Sequence, residues 1–141
     1  MFLYHAPIRI HDADAAGVLF FGRYFTLAHD AYEAFLEAKG FGAARIFRQE
    51  RFLIPVVHAE ADYKTPLWVG DRATVHLWVK EVRSRSFTLE YEILNPENRL
   101  ACRVVTVHAV VDTTTKRATT IPAELKSQLS EELEKDSKHK S

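Results

Sequence analysis

Between residues 22 and 39 the apolar positions recur at helical spacing, whereas on either side of that segment they alternate one by one. Phe25, Ala28, Tyr32 and Phe35 fall three or four residues apart, Arg23, Asp30 and Glu37 lie elsewhere around the turn, and Gly40 follows as a C-terminal stop. This spacing predicts one long helix. Ahead of it FLYHAPIRI (2–10) reads as a strand. Behind it FGAARIFRQ (41–49) reads as a loop or short helical piece, and PVVHAEADY (55–63) as a strand that turns at TPLWVGD. In RATVHLWVK, Ala73, Val75, Leu77 and Val79 alternate with Arg72, Thr74, His76 and Trp78. In SFTLEYEIL, Phe87, Leu89, Tyr91 and Ile93 repeat that pattern. NPEN (95–98) supplies a turn, and RLACRVVTVHAVVD (99–112) is apolar enough for a place inside a sheet. A short C-terminal helix is expected over 121–135, with Pro122 in its first turn, followed by a polar, frayed tail over 136–141.

One strand, one long helix and four further strands in meander order predict an α+β fold, an antiparallel sheet packed on a single central helix. Residues 1–135 are expected to form one domain, and neither an internal repeat nor a linker interrupts them. The edges of such a sheet stay open. Trp78 and His76 sit on its nominally polar face, which predicts that this face meets another subunit, because aromatics are enriched in interfaces.

Composition narrows the partners. Lysine and arginine number 19, as do aspartate and glutamate, so no net positive charge draws the chain to nucleic acid or to an acidic membrane. Cys102 is the only cysteine, and no membrane-length apolar run or basic-then-apolar leader is present. The cytoplasm is the expected compartment. His58, His76 and His108 lie on separate strands without ligand-like spacing, no phosphate-cradling glycine loop occurs, and no metal site is expected.

The candidate chemistry lies in HDADAAGVLFFGRY (11–24), where two aspartates, small residues and a glycine run directly into the helix. A carboxylate here meets backbone N–H groups without intrahelical partners and a dipole that favours negative charge, so it serves as a cap or as a reacting group. Gly17 answers either to a positive φ or to close approach of a substrate. His29 and Glu33 stand one turn apart on the helix and can act as an acid–base pair, contact a substrate hydroxyl, or remain solvated. Arg83 and Arg85, at the opening of the strand RSRSF, suit phosphate recognition or protection of an edge by charge.

HDADAAGVLFFGRYF, followed by a helix and this order of strands, resembles the hotdog-fold thioesterases of the 4-hydroxybenzoyl-CoA thioesterase family. The signature Asp-x-Asp-x-x-Gly, a few apolar or aromatic positions and a tyrosine just inside the helix match residues 12–24, and the resemblance extends over nearly the whole chain. Within the family, LFFGRYFTLAHDAYEAFLEAKGF is similar to the group acting on 1,4-dihydroxy-2-naphthoyl-CoA. The resemblance implies an antiparallel sheet wrapped around a long helix and hydrolysis of an acyl-CoA to free acid and CoA, without a metal or bound cofactor. It implies that Asp14 is the catalytic carboxylate, as nucleophile or as general base, and that the amides of Phe21 and Gly22 bind the thioester carbonyl oxygen. Phenylalanine at 21 leaves only the backbone donor where several relatives carry histidine or tyrosine. Asp12 and Gly17 then shape the loop, and Arg83 and Arg85 contact the nucleotide end of CoA. The family also implies a homo-oligomer, a dimer or a tetramer of dimers, with active sites between subunits. The acyl group stays open between aromatic and short-chain or fatty classes, and a non-catalytic acyl-CoA-binding protein is the alternative of another kind.

Overall fold

The computed structural model describes residues 1–139. In chain order it contains β1 (Phe2–Pro7), a 3-10 turn (Ile10–Asp12), α1 (Arg23–Ala38), α2 (Ala43–Gln49), β2 (Phe52–Leu53), β3 (Val56–Tyr63), β4 (Arg72–Val82), β5 (Ser86–Leu94), β6 (Leu100–Ala109), β7 (Val111–Asp112) and α3 (Ala123–His139). The fold is α+β. Five strands make one antiparallel sheet in the order β1-β4-β5-β6-β3, and β2 pairs with β7 in a separate two-stranded ribbon.

The helical spacing at 22–39 has the expected consequence: α1 buries Tyr24, Leu27, Ala28, Ala31, Tyr32, Phe35 and Leu36. They join one apolar cluster with the inward residues of β4 and β5, including Val75, Leu77, Phe87, Leu89, Tyr91 and Ile93. Gly40, at φ +86°, ends the helix, and the Phe41 amide donates back to Leu36.

The expected meander is corrected at β3, which lies at the far edge beside β6 while β1 takes the place next to β4. The reason is in the link between β3 and β4. Residues 64–71 are too many for a tight hairpin, and they are tied to the loop ahead of α1: the Leu19 amide donates to the Leu67 carbonyl at 2.8 Å and the Val69 amide to the Gly17 carbonyl at 3.0 Å. The link crosses the end of the sheet instead of folding the chain back on itself.

The second long helix lies at the C-terminus. The C-terminal helix, expected to be short and to give way to a frayed tail at 136, runs from Ala123 to His139 and packs on β4, with Leu125 and Leu129 fully buried. Asp136 is only 2% exposed; its carboxylate accepts the Val79 amide at 3.1 Å and pairs with the Met1 amino group. Residues 140–141 of the expected tail lie outside the described residues. Trp78, expected to stand uncovered, is half-buried with its ring edge-on to His76 at 5.7 Å. The exposed tryptophan is Trp68, at 51%. No helix among the described residues is long and apolar enough to cross a membrane.

Candidate active site

The segment between β1 and α1 is a chain of short turns. The Asp12 amide donates to the Arg9 carbonyl at 3.0 Å, the Asp12 carboxylate accepts the Arg9 amide at 3.1 Å, and the Asp12 carbonyl accepts the Phe20 amide at 3.0 Å. Asp12 thus ties the two ends of the loop together. Asp14 opens the next turn: its carbonyl accepts the Gly17 amide at 3.1 Å and its amide donates to the Val18 carbonyl at 2.9 Å. Oδ1 of Asp14 accepts the amides of Ala16 at 2.9 Å and Val18 at 3.3 Å. Oδ2 has no hydrogen-bond partner among the described residues, and the side chain is exposed. One oxygen fixes the carboxylate and the other is available for chemistry.

Gly17 closes this turn at φ +83°, the left-handed region that side chains with a β-carbon avoid, and a Cβ there would meet no atom within 4 Å. Backbone conformation, not crowding, accounts for the glycine.

Helix α1 begins after Gly22, and the amides of Phe21 and Gly22 have no acceptor among the described residues. They are the orphan donors of a helix start, available to an oxygen that gains negative charge. Aromatic residues wall the neighbouring space. The Tyr63 hydroxyl, on β3, donates to the Phe21 carbonyl at 2.8 Å, and its ring meets those of Tyr24 at 5.2 Å and Phe21 at 6.4 Å. An open depression of about 270 Å³ lies there, lined by Val18, Leu19, Phe21, Tyr24, Tyr63 and Pro66. Sequence reasoning missed Tyr63, because it stands 42 residues from Phe21 and no local spacing links the two.

Other expected residues lie elsewhere. His29 and Glu33 open onto a different hollow, between α1 and α2. Glu33 is nine residues past Tyr24, so it emerges from the opposite side of α1, about 13 Å further along the axis. They do not line the depression beside Phe21 and Tyr63 in the same chain. Arg83 and Arg85 do not open a strand; they occupy the turn between β4 and β5. The end of β1 that feeds the Asp14 loop pairs with Arg72, at the other end of β4. The 11 residues of β4, up to roughly 35 Å when fully extended, therefore run between the two positions in one chain. Arg83 is also engaged with Glu81 at 2.5 Å, and the hydrogen bond and charge of that carboxylate raise its pKa further.

On an antiparallel α+β scaffold, the loop that carries a carboxylate held by one oxygen runs into a helix start with unpaired amides, which sets a candidate acid–base group and candidate oxygen-binding donors on one segment. The chain belongs to the thioesterase-like superfamily, whose family model matches residues 8–129. It is 35% identical over 124 residues to the 1,4-dihydroxy-2-naphthoyl-CoA hydrolase of Rippkaea orientalis, covering 86% of this chain and 90% of that one. It is 31% identical to the enzyme of the same name from Nostoc punctiforme, over 88% of this chain and 83% of that one. Among solved structures it is similar to a 1,4-dihydroxy-2-naphthoyl-CoA thioesterase from Synechocystis, with a TM-score of 0.86 at 28% identity, covering 92% and 95% of the two chains.

Proposed function

We propose that the protein hydrolyses an aromatic acyl-CoA, of the 1,4-dihydroxy-2-naphthoyl-CoA kind, to the free acid and CoA. The observation that carries this reading is the free Oδ2 of Asp14, held by its own turn in the loop that leads to the unpaired Phe21 and Gly22 amides. The thioester oxygen sits on those two amides, which take up its charge as the carbonyl carbon becomes tetrahedral. Asp14 acts in its ionised form. As a general base it removes a proton from water, the water oxygen bonds to the carbon, the C–S bond breaks, and the thiolate leaves with a proton. As a nucleophile its carboxylate oxygen bonds to the acyl carbon, the C–S bond breaks and the thiolate leaves, and water then opens the resulting anhydride at the aspartyl carbonyl, releasing the acid with an aspartate oxygen. Single-turnover hydrolysis in 18O-labelled water separates the routes, since only the second puts protein oxygen into the acid. No metal or bound cofactor takes part in either.

The sheet wraps α1 in the hotdog manner, and the working unit is at least a cytoplasmic dimer with sites between subunits. Two features support that assembly. Edge strand β3 exposes Val56, Val57 and Tyr63, and the arginines suited to the CoA phosphates lie far from their own chain's Asp14. Light scattering should report a dimer or tetramer; a fully active monomer overturns this part.

Thiol release from a panel of acyl-CoA thioesters tests the activity, with aromatic members expected to turn over fastest. Asp14→Asn should lower kcat by at least about 100-fold while substrate still binds. Near-normal turnover of that variant removes Asp14 from the mechanism.

A further inference from the structure

The amides of Phe21 and Gly22 are not held in the same way. The Gly22 N–H belongs to the peptide unit whose oxygen is the Phe21 carbonyl, and in a planar trans unit the N–H and the C=O point in opposite directions. Whatever holds the oxygen therefore aims the hydrogen. Phe21 precedes the residue that caps α1, so the helix offers its carbonyl no partner: the Phe25 amide turns to the Gly22 carbonyl at 3.3 Å, and the Phe21 carbonyl accepts no backbone amide among the described residues. Its partner is the Tyr63 hydroxyl, which donates to it at 2.8 Å. Tyr63 is itself fixed, by its place opposite Cys102 at the end of β3 and by edge-on contacts of its ring with Tyr24 at 5.2 Å and Phe21 at 6.4 Å. Pairing along the β3 edge engages backbone groups, so it does not compete for this hydroxyl.

We propose that Tyr63 is a positioning residue for the hydrolysis at Asp14: its hydroxyl clamps the Phe21–Gly22 peptide so that the Gly22 N–H is aimed at the thioester oxygen, and strengthens that donor by drawing charge onto the Phe21 oxygen. The inference rests on the reading of Phe21 and Gly22 as the carbonyl-binding amides, and adds what aims one of them. The Tyr63 proton is committed to Phe21, so the residue acts through the peptide and donates nothing to the substrate. The Phe21 N–H lies in the preceding peptide unit, outside this control, and remains as a donor when Tyr63 is altered.

Tyr63→Phe keeps the ring and removes the bond. For the acyl-CoA that the unaltered protein turns over fastest, kcat should fall about tenfold, a part of the loss on the order of 100-fold or more that removal of a whole oxyanion donor brings, while KM stays within about twofold. Light scattering should report an unchanged assembly and unfolding should stay cooperative. Incorporation of 3-fluorotyrosine at 63, a stronger donor, should lift kcat above that of the unaltered protein at a pH where the phenol is protonated, which a tie that only secures the strand end would not do. A second readout needs no turnover. With five glycines in the chain, 15N-glycine labelling resolves Gly22, whose nitrogen should move upfield in Tyr63→Phe, and further than that of Gly17, because a hydrogen bond on the preceding carbonyl deshields it. A kcat unchanged in Tyr63→Phe, a loss confined to KM, or a Gly22 resonance that does not move overturns the proposal while thiol release by the unaltered protein leaves the hydrolysis reading standing. Failure of the unaltered protein to release thiol from any acyl-CoA overturns both.

Discussion

Thr106→Val should destabilise the protein far more than its near-identical shape suggests. Thr106, on β6, is buried between two other buried polar groups: its Oγ1 lies 2.9 Å from the Tyr91 hydroxyl and 2.8 Å from Nε2 of His108. The His108 ring is stacked on Phe87 at 4.9 Å and lies 4.3 Å from Tyr32, so it has no room to turn toward solvent. Valine keeps the volume and removes both bonds. Each orphaned buried group costs about 1–3 kcal/mol, so the loss of two should be about 2–6 kcal/mol. That is a large part of the 5–15 kcal/mol typical of a domain, and corresponds to a fall in Tm of roughly 7–20 °C. Urea unfolding followed by circular dichroism should show a lower midpoint at an unchanged slope. Thr106→Ser, which keeps the hydroxyl, should lose only about 1 kcal/mol, and adding Tyr91→Phe to Thr106→Val should restore part of the loss by removing one orphan. A Thr106→Val midpoint within about 0.5 kcal/mol of the unaltered protein would refute the reasoning.

The same histidine sets a pH dependence. Burial first, and the charge of His29 after it, push the His108 imidazole down from 6.5 to about 3. The unfolded chain then binds the extra proton, so stability falls as pH drops from about 6.5 toward 3, by up to about 1.4 kcal/mol per pH unit, and His108→Gln should flatten that slope in denaturation series. Gly17→Ala should cost about 1–2 kcal/mol through its positive φ alone, with Gly17→Asn recovering part of it; a melting temperature unchanged by alanine counts against the left-handed turn. Arg85→Ala should raise KM for a full acyl-CoA more than for an acyl-pantetheine, and Arg83→Ala less, since Glu81 already holds Arg83. The difference should shrink at high salt, and equal losses on both substrates point to a structural role.

Local periodicity made α1, β4 and β5 legible, because each presents one fully buried face to the cluster and alternates it with a less buried one. It failed where burial does not follow apolarity. Strand β3 is exposed along nearly its whole length within the chain, so PVVHAEADY carries no sign of which edge it joins. The length of α3 was hidden for the opposite reason. Its inner face includes Glu132 and Asp136, charged residues that are buried because the Lys39 ammonium, the Met1 amino group and the Val79 amide meet them. Read alone, DSKHKS is a polar end; in the fold Asp136 accepts the Val79 amide, which β1 starts too late to cover.

The candidate site divides in the same way. Asp12, Asp14 and Gly17 interact within a few residues, so a turn written into the local sequence brings them together, and the loop was readable in full. The other candidate groups come from distant segments, and their separations depend on topology. Tyr63 reaches Phe21 only because the 64–71 link crosses the sheet end and returns past the loop. Arg83 and Arg85 suit CoA by residue type, and the register decides where they stand. Pro7 pairs with Arg72, the loop that holds Asp14 therefore leaves from the near end of β4, and the arginines stand beyond Val82 at the far one. If one acyl-CoA is to meet both Asp14 and these arginines, they must come from different chains. A dimer joined along the exposed edge of β3 with its strands antiparallel would turn the far end of one sheet toward the loop of the other. The arginine assignment and the shared-site assembly thus stand or fall together.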